Sequence, residues 1–253
     1  MNPSIVGVVV FGFSMAGALL GLSLARRLPQ RELDSQSRDS IKLAVGLIAT
    51  MTALVLGLVT ASAKSNFDSL SAAVKTGAVD LIALDRTLAR YGPETAQIRT
   101  DLKSAVELRV ELTWPSDASR VAELQVLQQA TSVEAVGNRI LLLQPSDDLQ
   151  RALKVRSVAL AEKLLEARWL LHAGSSASVP LPFLGVLTLW ITITFTIFGM
   201  LAPSNRAVIG VLAACAMSVG TALFIILEMD GPFDGVLTVS GQPLRKAIME
   251  LDH

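Results

Sequence analysis

Cysteine is nearly absent. Cys215 is the only one among 253 residues, which excludes a disulfide-stapled secreted domain. Histidine is almost as scarce: His172 and His253 stand far apart, and with a single thiol no ligand set has zinc spacing, so no metal site is expected. Charge is thin, at 17% of residues against roughly 25% in an ordinary soluble domain. It also lacks a dominant sign, because 22 Lys and Arg balance 22 Asp and Glu. The basic face of a nucleic-acid binder is therefore not indicated. Missing too are a Gly-rich phosphate loop after a strand, a Cys–His pair, and a histidine near a plausible nucleophile. An enzyme is not expected, and no cofactor is implied.

What the chain does have is apolar length. Hydrophobic residues make up 51%, and the mean hydropathy is +0.52. A helix needs about 20 apolar residues to cross a bilayer. Four charge-free runs reach that length: Ser4 to Ala25; Leu43 to Ala63; a third with its core at Phe183 to Ala202; and Ala207 to Leu227, which ends at Glu228. The first has no Lys or Arg before it and carries Arg26 and Arg27 after it, the reverse of a signal peptide, so a retained helix is expected. The short loop between the first two spans holds Arg26, Arg27, Arg31, Arg38 and Lys42. By the positive-inside rule this puts the short loops in the cytoplasm, and both termini and the long middle segment outside.

The middle segment, 64–178, is polar and helical in pattern. Phe67, Leu70, Val74, Gly77, Leu81, Leu84 and Leu88 make a heptad seam, read as a stalk over 64–90 that continues the second span. The seam either packs within one subunit or joins two subunits. Tyr91-Gly92-Pro93 ends the stalk. Further helices are expected over Glu94–Thr113, near Ser119–Ala130 and Ser132–Leu143, and from Pro145 to His172. The tail, 231–253, opens on a turn and ends in a short amphipathic helix from Pro243 to Leu251. The fold class expected is an all-α membrane protein. Its first hairpin occupies 1–63 and its second 179–230, with the helical extramembrane domain inserted between the second and third spans.

Several residues are candidates for function. Gly17 and Gly21, and then Ala49, Ala53 and Gly57, place small residues at helix-packing spacing. Thr188, Thr192 and Thr196 share one face of the third span. Their hydroxyls either bond their own helix or line a wet path. Glu228 and Asp230 end the fourth span, where the helix dipole disfavours acids, and Asp234 follows in the turn. Arg245 and Lys246 could compensate them as ion pairs; an ion or gating site is the other reading.

The runs Gly46-Leu-Ile-Ala-Thr-Met-Thr-Ala-Leu-Val-Leu-Gly57, Ala61–Asp68, Leu84-Asp-Arg-Thr-Leu-Ala-Arg-Tyr-Gly-Pro93, Arg168-Trp169, Pro182–Leu184 and Phe198–Asn205 resemble the bacterial bestrophin-like membrane proteins. The clearest is Ile226-Leu-Glu-Met-Asp-Gly-Pro-Phe-Asp-Gly235, followed by Pro243-Leu-Arg245. The resemblance implies an oligomeric channel for small inorganic anions, chloride foremost, in the bacterial inner membrane. It also implies a pore lined by the second span, where Ile48, Thr52 and Val55 share a helical face. It places the middle domain in the cytoplasm, whereas the charges place it outside; the charges are followed here. The long acidic run that binds calcium in animal bestrophins is missing. The other function considered is a membrane-anchored binding, signalling or scaffold protein acting through its helical domain. The partners expected are the lipid bilayer and, for a channel, further copies of the chain; for the alternative, a partner of the middle domain.

Overall fold

The computed structural model describes residues 2–27, 35–115, 132–174, 179–233 and 235–251. Among them are eight α-helices: α1 (Pro3–Ala25), α2 (Ser35–Tyr91), α3 (Ala96–Thr113), α4 (Val133–Leu141), α5 (Asp148–Gly174), α6 (Leu181–Leu201), α7 (Arg206–Asp230) and α8 (Gln242–Glu250). A 3₁₀ turn, Pro93–Thr95, links α2 to α3. No strand occurs among the described residues. The helix expected near Ser119–Ala130 lies outside them.

Local chemistry fixes the helix starts. Asn2 caps α1 by accepting from the Ser4 amide at 3.1 Å, and Pro3 occupies the first turn, where a missing N–H costs nothing. Ser132 caps α4 through the Ala135 amide at 3.2 Å, and Asn205 caps α7 through the Val208 amide at 2.8 Å. Helix α2 stops after Tyr91 because Gly92 takes φ 140°, a conformation that side chains disfavour.

Among the described residues, four helices are long and apolar enough to cross a membrane: α1, the apolar part of α2, α6 and α7. Contacts divide the chain into two units. The first holds 1–66 and 178–237. Here α1 packs on α6 and α7 around Val10, Ala18, Ile191, Phe195, Ala216 and Leu223. Glycines set the closeness of these crossings. A Cβ at Gly17 would stand 2.8 Å from the Thr192 carbonyl oxygen, and one at Gly220 would stand 2.8 Å from that of Gly7. In lipid, where apolar burial drives little association, such backbone approach supplies the contact.

The second unit holds 67–177 and 238–253. Its core joins Leu81, Leu84 and Leu88 of α2 to Ile98 and Leu102 of α3, Ile140 of α4, Ala161 of α5 and Ile248 of α8. The later part of the heptad seam is thus spent within one chain, which decides that stretch between the two readings offered above. Asp85, 2% exposed, accepts two bonds from Arg99, at 2.6 Å from Nε and 2.9 Å from Nη2. Thr95 Oγ1 donates to the Leu88 carbonyl at 2.6 Å and closes the α2–α3 corner. The indole of Trp114 donates to the Val239 carbonyl at 2.7 Å, and Gly241 leaves room for its ring. These contacts seat the segment leading into α8.

Candidate ion pathway and the carboxylates closing the fourth span

The apolar part of α2 is the least covered of the four spans. Only 6% of its most apolar stretch is buried, against 44% for α1. One side, carrying Val45, Leu56, Val59 and Ala63, turns to its own unit. Ile48, Thr52 and Val55 fall on that same side by helical spacing and are half-buried. The Thr52 hydroxyl is spent on the Ile48 carbonyl at 2.8 Å. The open side carries two stripes. Leu47, Leu54 and Leu58 are exposed in one. Gly46, Thr50, Ala53 and Gly57 are exposed in the other, and a Cβ at Gly46 or Gly57 would meet nothing within 4 Å. Ala49 is half-buried beside them. The sequence does not single out the leucine stripe, because the span is apolar all round.

The threonines of α6 are occupied. Thr188, Thr192 and Thr196 each donate to the carbonyl four residues back, at 2.7 Å. Thr192 and Thr196 also lie against Gly17 and Gly21, in the α1–α6 contact. Thr188 and Thr192 border an apolar cleft of about 600 Å³ with Ile5, Val9 and Phe13 of α1.

The end of α7 is built from carboxylates that bind backbone. Glu228 is 3% exposed, and its Oε2 accepts from the amides of Val236 at 2.6 Å and Leu237 at 3.2 Å. The turn between them needs Gly235, which takes φ 103° and lies so close to the Glu228 carboxylate that a side chain would strike it. Asp230 accepts from the Val179 amide at 2.8 Å, tying the approach to α6 to the end of α7. Two amide donors offset the unfavourable placement of a carboxylate at a helix C-terminus. Sequence reasoning missed this partner, since backbone amides leave no side-chain signature. Asp234 lies outside the described residues. Arg245 sits in the other unit, where its guanidinium donates to the Trp114 carbonyl at 3.0 Å. Among the described residues, no three His, Cys, Asp or Glu side chains are grouped to hold a metal.

A family model, the Bestrophin-like domain, matches residues 12–244. The chain belongs to this family. Two solved structures share the fold. One is a bacterial bestrophin homologue from Klebsiella pneumoniae carrying a point mutation, 13% identical, with a TM-score of 0.67 over 98% of this chain and 99% of that one. The other is described as a membrane protein, also a point mutant, 13% identical, with a TM-score of 0.66 over 97% and 95%. A search of curated proteins finds no match. Among its described residues, this bestrophin-like chain is all-α, with α1, the apolar part of α2, α6 and α7 as its candidate membrane spans.

Proposed function

We propose that this bestrophin-like chain is one subunit of an oligomeric anion channel, and that the open side of α2 from each copy surrounds the path. One observation carries this reading: α2 is the span with the least cover inside its own chain. Four helices cannot enclose a wide aqueous pore, so conduction needs an axis shared between copies. The small stripe of Gly46, Thr50, Ala53 and Gly57 suits close contact with a neighbouring helix. The bulky stripe of Leu47, Leu54 and Leu58 suits a constriction that gates by dewetting. Ile48, Thr52 and Val55 then support the wall from behind.

The membrane is the bacterial inner membrane, with the short loops in the cytoplasm and the helical unit outside, as the arginine-rich first loop favours. Single-cysteine labelling in a Cys215→Ala background tests this sidedness. Chloride flux from liposomes tests the channel. A Leu54→Ala chain should pass anions several-fold faster than the parent, with Thr52→Ala close to the parent. Flux no greater than in protein-free liposomes for both chains, together with a monomer by native mass spectrometry, would refute the reading.

A further inference from the structure

Two guanidinium groups border one small cavity inside the extramembrane unit. Arg109 of α3 and Arg168 of α5 line a space of about 70 Å³ whose other walls are apolar, among them Val74, Gly77, Val110, Leu164 and Leu244. Arg168 is matched: it pairs with Glu134 in the first turn of α4 and lies 5.8 Å from the centre of the Trp169 ring. Arg109 is half-buried and makes no ion pair among the described residues. Burial lowers its pKa, and Arg168 lowers it further, while Glu134 pulls the other way. Among the described residues, the cluster is therefore two cations against one carboxylate.

A charge held partly out of water without a full partner is costly, and a neighbour of like sign raises that cost. What would relieve it is a flat anion matching the guanidinium fork. The apolar walls add a second requirement, since a bare inorganic ion would leave them facing water. Glu134 adds a third by disfavouring a second negative charge. We propose that this cavity binds a small organic monocarboxylate, its carboxylate on Arg109 and its hydrocarbon end among Val74, Val110 and Leu164. The space admits several water-sized groups, enough for a short-chain acid but not for a fatty acid. The site is separate from the proposed ion path and does not depend on it.

The probe is sodium butyrate, with sodium chloride at equal ionic strength and 1-butanol as controls, on the full chain in detergent. Butyrate should raise the unfolding midpoint in a saturable way, by roughly 2–4 °C, and neither control should. Arg109→Gln should abolish the rise. Saturation-transfer NMR on the unmodified chain is the second measurement, and it should show magnetisation reaching the butyrate methyl group but not that of butanol. This keeps the test open if Arg109→Gln does not fold. Equal shifts in chloride or butanol, a shift retained in Arg109→Gln, or no transfer to butyrate would each overturn the proposal.

Discussion

Gly21 of α1 lies directly against Thr196 of α6: a Cβ at position 21 would collide with the Thr196 carbonyl oxygen. That oxygen is backbone and cannot swing away. Gly21→Val should therefore force α1 off α6, costing about 3 kcal/mol or more. Gly57→Val, where nothing lies within 4 Å of the added atom, should leave the subunit's thermal unfolding within about 0.5 kcal/mol of the parent. Under the proposed assembly, Gly57→Val should instead lower subunit number in native mass spectrometry.

The Asp85–Arg99 pair is lopsided, with side-chain exposures of 2% and 30%. Arg99→Ala strands a buried carboxylate and should cost about 3–5 kcal/mol. Asp85→Ala leaves a cation that water can still reach, and should cost less. Denaturant titration of both variants checks the order.

Glu134 carries an acid-side signature. Burial opposes its ionisation, but the backbone bond at the α4 start, Arg168 and Ser132 outweigh it and hold its pKa below the ordinary 4.5. A carboxyl with a depressed folded pKa contributes stability above its unfolded value and loses it as pH falls through the folded one. The unfolding midpoint of the parent should drop as pH falls through and below 4.5, and Glu134→Gln should flatten that drop.

Tyr91 buries a hydroxyl that has no hydrogen-bond partner among the described residues. Removing an orphaned polar atom while keeping the ring should help, so Tyr91→Phe should stabilise the chain by about 1 kcal/mol. The same burial raises the tyrosine pKa above 10.0, with Glu94 and Asp147 adding to it. The stabilisation tied to the neutral ring is complete below pH 10.0 and fades as pH rises through the folded value.

Glu228→Ala should unpin the turn after α7. The amides of Val236 and Leu237 lose their acceptor, and their hydrogen exchange should quicken by at least tenfold in mass-spectrometric exchange. Glu228→Gln retains an acceptor oxygen and should fall between.

Some of this was legible in the sequence, and the dividing line is physical. Apolar length between charges announces a span whatever surrounds it, so all four spans could be read. The open side of α2 could not be read, because a helix apolar on every side carries no periodic mark of which side is covered. The Thr188–Thr196 stripe is equally mute: a threonine bonded to its own helix and one facing water are spelled alike. Glu228 looked like a charge in need of a cation, and two amides serve instead. Arg109, Glu134 and Arg168 meet from three separate helices, a juxtaposition that only the fold creates.

The hold on Glu228 also has an order in time. The ribosome delivers the carboxylate first and the amides of Val236 and Leu237 eight and nine residues later. Until those residues follow, the end of the fourth span has a naked acid and depends on water or lipid headgroups to solvate it. The last hairpin can therefore settle to its final depth only after the beginning of the tail has been made. A chain truncated just past Asp230 would carry all four spans and still lack what its final helix needs in order to stop where it does.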